Sequence, residues 1–318
     1  MSKLNFSSLS IAKPMLEGLE ALGYAQMTPI QAQSLPHILD GKDLIAQAKT
    51  GSGKTAAFGI GLLNRIKAEK FSVQALVLCP TRELAEQVAK EIRRLASFTQ
   101  NIKLITLCGG TPLGPQAASL EKGAHIVVAT PGRLLDHLSK KTLQLKSVNM
   151  LVLDEADRML DMGFQDAIRT VTAELPKSRQ TLLFSATFPD SIQDMSRSIQ
   201  HKPVSVKVDT EHAQGKIEQL FYEIKKHERN STLALLLEHY KPASVVIFCK
   251  TKRDTQDVAD MLNEQGHSAV AIHGDLEQRD RNQVLIRFAN QSCPILVATD
   301  VAARGLDVKD LAMVINYE

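Results

Sequence analysis

Eight consecutive residues, Ala48-Lys49-Thr50-Gly51-Ser52-Gly53-Lys54-Thr55, have the types and spacing needed to hold a nucleoside triphosphate. Glycine at 51 and 53 lets the backbone turn several N–H groups toward one point, and a helix starting just after them adds the positive end of its dipole. Lys54 reaches the β- and γ-phosphates of a nucleotide in such a cradle, and the Thr55 hydroxyl ligates Mg²⁺. Thr50, Gly51, Ser52 and Gly53 supply the backbone. The first position of the usual G-x-x-x-x-G-K-[ST] pattern is Ala48. Gly51, Gly53 and Ala56 also satisfy a dinucleotide fingerprint, but no carboxylate follows on a second strand about 20 residues later.

A second group is acidic. Asp154-Glu155-Ala156-Asp157 follows the apolar run 150–153, so two carboxylates stand where a strand ends. Asp154 there can hold Mg²⁺, and Glu155 can orient or deprotonate an attacking water. The same residues would also serve as an acidic helix start. Ser185-Ala186-Thr187 follows the run 181–184 in the same way, with hydroxyls able to bridge toward Asp157, and Pro80-Thr81-Arg82-Glu83 follows 75–79. Upstream, Thr28-Pro29-Ile30-Gln31 reads as a capping box. The other reading of Gln31 is that its amide recognises an adenine edge, with Tyr24 stacking on the base.

The elements that must position these groups are legible as rhythm. Short apolar runs at 44–46, 75–79, 104–107, 126–129, 150–153, 181–184 and 204–208 alternate with helical patterns such as 10–22, 56–68 and 81–98. Continuous apolar runs predict parallel strands covered on both faces, hence a doubly wound α/β domain that binds ligands at the carboxyl ends of its strands. Periodicity is lost in the polar stretch 209–216, which predicts a linker between a domain at 1–208 and a second at 217–318. The rhythm then restarts with strands expected at 220–224, 245–248, 269–272, 295–298 and 313–315, and helices after Thr251 and after Leu276. No phosphate loop occurs in this half, so its polar strand ends must act on something held by the first.

Composition sets wider limits. The 318 residues are 44% hydrophobic and 23% charged, ordinary for globular domains, and a net charge of +3 leaves any polyanion contact to local patches. Cys79, Cys108, Cys249 and Cys293 form no C-x-x-C pair and predict buried thiols. No run of about 18 apolar residues and no leader-like start occurs, so a cytoplasmic protein without a membrane partner is expected.

In this order and spacing the motifs resemble the DEAD-box RNA helicases of superfamily 2, over essentially the whole chain. The resemblance rests on Phe6, Tyr24 and Gln31, on 48–55, Pro80-Thr81-Arg82-Glu83-Leu84, Gly109-Gly110 and Thr130-Pro131-Gly132-Arg133, on 154–157, on 185–187 and on 298–307. The family has alanine at the position of Ala48. The resemblance implies two RecA-like domains that close on ATP and single-stranded RNA together, bending the strand so that a short duplex separates. Gln31 would then read adenine, Lys54, Asp154 and Glu155 carry the chemistry, Asp307 contact the ribose and Gly305 the nucleotide. Asp157, Ser185 and Thr187 would couple the domains. RNA would touch Arg82, Gly110, Thr130, Gly132 and Arg133, and in the second domain Thr251, Gly274, Gln278, Arg279, Thr299 and Asp300. Helix capping is the competing role for Thr130 and Thr251.

The wording at 47–59, 154–164, 179–187 and 273–281 is similar to the bacterial DbpA-type helicases, which implies ribosomal RNA as partner and large-subunit assembly as process; a monomer is expected. The family's His-Arg-x-Gly-Arg-x-x-Arg segment does not occur in these residues, so a truncated core with an incomplete second domain, deficient in hydrolysis, is expected. An ATP-gated RNA clamp is the alternative to an unwinding enzyme. A GTPase switch is disfavoured because no Asn-Lys-x-Asp segment occurs, and a DNA helicase is disfavoured by the resemblance alone.

Overall fold

A computed structural model describes residues 5–49, 51–99, 101–208, 218–299 and 311–317. The chain divides into one unit at 1–212 and another at 213–318. The expected linker at 209–216 lies outside the described residues.

The first unit is a seven-stranded parallel sheet: β1 (Leu44–Gln47), β2 (Ala75–Leu78), β3 (Leu104–Leu107), β4 (Ile126–Ala129), β5 (Met150–Leu153), β6 (Gln180–Ser185) and β7 (Val204–Lys207). Their spatial order is β3-β4-β2-β5-β6-β1-β7. The interior strands β2, β4, β5 and β6 are buried at every position, which is why they read as unbroken apolar runs. The edge strands differ. β3 is buried only at alternate residues and β7 chiefly at Val206, because one side of an edge strand meets no neighbouring strand and its cover is thinner.

Nine helices of this unit are described: α1 (Lys13–Ala21), α2 (Pro29–Leu39), α3 (Lys54–Arg65), α4 (Arg82–Ala96), α5 (Leu113–Glu121), α6 (Pro131–Ser139), α7 (Ala156–Asp161), α8 (Gln165–Ala173) and α9 (Asp190–Ile199). α3, α4 and α2 share one core cluster with alternate strand residues such as Ala46, Val77 and Phe184, while α6, α8 and α9 cover the opposite face through Leu134, Ile168 and Ile192. α3 comes close to its neighbours because it presents glycines. A Cβ at Gly61 would lie 2.3 Å from Ile38 Cγ2 of α2, and one at Gly59 would lie 2.9 Å from Leu95 Cδ1 of α4.

The second unit has a four-stranded parallel sheet, β8 (Val245–Cys249), β9 (Ala269–Ile272), β10 (Ile295–Thr299) and β11 (Met313–Asn316), in the order β11-β8-β10-β9. Its helices are α10 (Arg229–Tyr240), α11 (Lys252–Glu264) and α12 (Gln278–Ala289). The strand expected at 220–224 does not form. Those residues have no regular structure, with Phe221 91% exposed and Leu220 52% exposed. β-branched and aromatic composition favours a strand only where another strand completes its ladder, and among the described residues none pairs with this segment.

The tight seating of α3 gives a direct test. Gly61→Ala should lower the melting temperature, since overpacking costs about 1–3 kcal/mol and the gain in helix propensity returns at most about 1. With Ile38→Ala already in place the same change should become neutral or stabilising; additive effects of the two substitutions would show that the contact does not limit the fold.

Candidate nucleotide and nucleic-acid site

All the strands of each sheet are parallel, so their carboxyl ends lie along one edge. In the first unit the candidate residues divide along that edge by strand order. Adjacent strands β5, β6 and β1 carry the acidic segment, the 185–187 segment and the phosphate loop, while adjacent strands β3, β4 and β2 carry Gly110, Thr130 with Gly132 and Arg133, and Arg82.

The phosphate loop has the geometry its glycines predict. Gly51 and Gly53 have φ of +79° and +95°, the left-handed region that favours glycine, and Gly53 caps α3. A Cβ at Gly53 would lie 2.6 Å from Gln31 Nε2, so the loop also needs glycine for space. Lys54 is buried and its ammonium donates to Ala48 O at 2.9 Å, inside its own loop. The Ser52 hydroxyl is buried without a partner. Backbone N–H groups at a helix N-terminus, an orphaned hydroxyl and a lysine are together a fit for phosphate. Thr50 lies outside the described residues.

Gln31 takes the capping role and also reaches the phosphate loop. Its Oε1 accepts from Thr28 N at 2.9 Å, one arm of the capping box, and its Nε2 donates to Gly53 O at 3.1 Å. The other arm is not closed: the Thr28 hydroxyl faces the helix but is buried without a hydrogen bond. One Nε2 hydrogen and one Oε1 lone pair of Gln31 stay uncommitted by these two bonds. Tyr24 is held by a hydrogen bond from its hydroxyl to Glu91, an edge contact with Phe6 at 6.1 Å and the Arg94 guanidinium 5.7 Å from its ring centre. Burial, then that carboxylate, raises its phenol well above the usual range.

At the end of β5, Asp154 is 2% exposed, and burial pushes its carboxyl up to about 6 against the opposing pull of Lys54. Asp154 Oδ1 accepts from Glu155 N at 3.0 Å. Glu155 itself has φ of 53°, a left-handed conformation that costs a non-glycine residue about 1 kcal/mol and that turns the chain sharply into α7. Its Oε2 pairs with Arg158 Nη1 at 2.6 Å. Asp157 Oδ2 accepts from both the backbone N and the hydroxyl of Thr187, each at 2.8 Å. The Ser185 hydroxyl does not reach Asp157 but donates to Thr187 O at 2.7 Å, holding the same turn from the other side. One carboxylate with the Thr55 hydroxyl nearby in sequence to the phosphate cradle suits Mg²⁺, which binds through few protein ligands and the phosphates themselves; among the described residues no cluster of three metal-ligating side chains occurs.

On the other half, Arg82 is buried with its Nη2 unpaired, against Gly110 at φ of +74°. Thr130 precedes α6 without capping it through its side chain, and Gly132 has open space around its Cα. Arg133 faces inward: its side chain is 11% exposed, and Nη1 donates to Thr111 O at 2.8 Å and Gln116 Oε1 at 3.0 Å. It acts here as a strut between loops.

In the second unit, Thr251, Gly274, Gln278, Arg279 and Thr299 all lie at the carboxyl ends of β8, β9 and β10 or at the helix starts that follow. Thr251 does cap its helix, accepting from Asp254 N at 3.1 Å. Gly274 packs on Lys252, whose ammonium pairs with Asp275 and holds that carboxyl below its ordinary range. Gln278 donates to Asn282 Oδ1 at 3.0 Å, and Arg279 is exposed. Asp300, Gly305 and Asp307 lie outside the described residues.

Residues 28–195 match the family model for the DEAD/DEAH box helicase, and residues 228–318 match the helicase conserved C-terminal domain. The chain belongs to the DEAD-box RNA helicase family. The ATP-dependent RNA helicase DbpA of Escherichia coli is 59% identical over 314 residues, 98% of this chain and 69% of that protein. CshA of Bacillus subtilis is 41% identical over 316 residues, 99% of this chain and 64% of that protein. Thus the chain spans about two thirds of these relatives. Among solved structures, Saccharomyces cerevisiae Dbp5 bound to RNA and ADP BeF3 is 33% identical with a TM-score of 0.88, over 99% of this chain and 80% of that one. A DEAD box protein of Methanococcus jannaschii is 41% identical with a TM-score of 0.62, over 99% and 85%. As a DEAD-box protein, the chain is an RNA-helicase ATPase by class.

Several residues of this DEAD-box core escaped the sequence reading. Arg158 lies three residues from Glu155 on a helix, a spacing that could have flagged the pair. Gln47 Nε2 donates to Ala186 O at 3.2 Å, tying β1 to the 185–187 turn across 139 residues, and no local pattern reveals that. The Cys79 thiol is pushed far up by burial and then by Asp154, so it is an inert neighbour of the acidic site, and all four cysteines are buried and none is in a disulfide.

Asp154 sets a pH signature. Its carboxyl is raised from 3.8 to about 6 in the fold, so its contribution favours the folded chain at low pH and is lost as pH rises through about 6. Asp154→Asn should therefore raise the melting temperature of the nucleotide-free chain above pH 6, by up to about 3 kcal/mol in stability, and flatten its pH dependence between about 4 and 6. A lower melting temperature for the asparagine variant at pH 8 would contradict this.

Proposed function

We propose that this protein couples binding and hydrolysis of ATP with Mg²⁺ to the binding of single-stranded RNA and the local separation of short RNA duplexes. The observation that carries the reading is the division of one sheet edge: nucleotide chemistry on β5, β6 and β1, and backbone N–H groups, hydroxyls and a buried arginine on β3, β4 and β2. Ribosomal RNA as partner, assembly of the large ribosomal subunit as process, a monomeric state and the cytoplasm as location complete the proposal. The 59% identity to Escherichia coli DbpA supports the DbpA-type resemblance from which the ribosomal part is taken.

On this reading the 51–55 backbone and the α3 dipole hold the phosphates, and Lys54 exchanges Ala48 O for a phosphate oxygen. Thr55 and Asp154 hold Mg²⁺, which when bound neutralises phosphate charge. Gln31 uses its remaining hydrogen and lone pair on adenine, against which Tyr24 stacks. Glu155, released from Arg158, orients the attacking water, and the Asp157–Thr187 bonds carry the change at the acidic segment to the 185–187 turn. Arg82, Gly110, Thr130 and Gly132 contact RNA, as do Thr251, Gly274, Gln278, Arg279, Thr299 and Asp300, while Gly305 contacts the nucleotide and Asp307 its ribose. Phosphate-directed contacts of this kind bind RNA with little regard to sequence.

The test is phosphate release by the full-length protein with and without single-stranded RNA, together with release of a short labelled strand from a duplex. Glu155→Gln should keep ATP and RNA binding while reducing stimulated phosphate release at least about 100-fold, as loss of a general base does. Unchanged turnover in that variant would remove Glu155 from its role, and RNA-independent turnover in the parent would remove RNA as the coupled ligand.

A further inference from the structure

Between the loop after β3 and the start of α6 lies a glutamine that none of the nucleotide or RNA roles above uses. Gln116, on α5, makes four side-chain hydrogen bonds. Its Nε2 donates to Cys108 O at 3.1 Å and to Thr111 Oγ1 at 2.9 Å, and its Oε1 accepts from Arg133 Nη1 and His137 Nε2, both at 3.0 Å. An amide has two donor hydrogens and two acceptor lone pairs, so Gln116 is fully committed, and its orientation is fixed because a flipped amide would face the guanidinium with N–H groups. The same bond sets the His137 tautomer. Nε2 carries the proton, and Nδ1 accepts from the Thr142 hydroxyl at 2.8 Å. His137 is fully buried, and burial followed by the Arg133 charge lowers its pKa, which favours that neutral form.

The four bonds join two loops rather than filling a core. Cys108 and Thr111 bracket Gly109-Gly110, whose second glycine has φ of +74° and leaves no room for a Cβ beside Arg82 Nη2, 2.5 Å away. Arg133 and His137 belong to α6, whose first turn presents Thr130 and Gly132. β3 and β4, from which these loops emerge, are hydrogen-bonded neighbours. α5 buries none of its residues fully, so Gln116 is not placed where it is to support hydrophobic packing. Hydrogen bonds of this kind contribute individually about 0.5–1.5 kcal/mol, modest for stability but sufficient to hold two loops at one separation.

We propose that Gln116 is a positioning residue that presets the spacing between the Gly109-Gly110 loop and the N-terminus of α6 so that both meet successive phosphates of one RNA strand. This rests on the assignment of the β3-β4-β2 half of the edge to RNA. Ordering these loops before binding removes a conformational cost that would otherwise reduce RNA affinity, so the effect belongs to RNA binding and not to the chemical step.

The experiment uses the full-length protein and a fluorescein-labelled oligouridylate. Measured for each variant are KM for RNA, kcat at saturating RNA, ATP affinity without RNA, and melting temperature. Gln116→Ala should raise KM for RNA about ten-fold, equivalent to about 1.4 kcal/mol, and leave kcat and ATP affinity within about two-fold. Gln116→Glu keeps both acceptor arms, to Arg133 and His137, but turns a carboxylate toward Cys108 O. It should therefore raise KM for RNA while leaving kcat and ATP affinity within about two-fold, a selective loss that a residue serving only to fasten α5 would not produce. Arg82→Ala is the control for the RNA edge. If it weakens RNA binding while both Gln116 variants do not, the inference is overturned and the RNA edge stands. Parallel losses of kcat, ATP affinity and melting temperature in Gln116→Ala, with Gln116→Glu like the parent, would also overturn it. If Arg82→Ala leaves RNA binding unchanged, the assignment of the edge has failed, and the role of Gln116 fails with it.

Discussion

The Lys54 ammonium and the Asp154 carboxylate are both buried at the carboxyl edge of one parallel sheet, after β1 and β5, and each lowers the cost of the other's charge. A charge so placed is expensive unless an opposite charge and hydrogen-bond partners surround it. The fold supplies these locally: Ala48 O receives the ammonium, and Glu155 N donates to the carboxylate. Keeping them there requires the chain to turn sharply twice, at the left-handed glycines of the phosphate loop and at the left-handed Glu155. It also requires α3 to run close against α2 and α4, which its glycines permit. Asp154 remains the less comfortable partner, a carboxyl held near 6 that a divalent cation beside it would bring fully into its charged form.

From that pair the edge extends in two directions. Through β6 the acidic segment is bonded to the 185–187 turn by Asp157 and Thr187, and Gln47 ties the same turn to the strand that feeds the phosphate loop. A rearrangement at the acidic segment therefore has a bonded route to β1. Toward β2, β4 and β3 the edge gains a buried arginine whose Nη2 is unpaired, helix starts and a glycine turn, a surface suited to a polyanion. Strand order, which is not sequence order, separates the two chemistries.

What the sequence disclosed was local. The phosphate loop, the acidic segment and the capping glutamine each occupy a few consecutive residues, and their geometry follows from glycine, a helix start and a strand end. The apolar runs matched all the described strands: in the interior strands β2, β4, β5 and β6 continuous burial leaves a continuous mark, while the edge strands β3, β7 and β11, buried only in part, carry a weaker one. The run at 220–224 carries the same mark and forms no strand, since pairing depends on a neighbour that residue types cannot name. The inward turn of Arg133, the closure of Gln116 on partners from 108 to 137, and the bond from Gln47 to Ala186 were equally out of reach, being contacts between loops distant in the chain. Arg158 against Glu155 was within reach and was passed over.

The division of the edge is the central claim, and photo-crosslinking tests it most directly. A single-stranded RNA containing 4-thiouridine would be bound to the full-length protein with Mg²⁺ and a non-hydrolysable ATP analogue, irradiated, and the attached peptides identified by mass spectrometry. The account predicts that crosslinks in the first unit fall in the loops after β2, β3 and β4, around 80–83, 109–111 and 130–133. Crosslinks centred on 154–157 or on 185–187 would contradict it.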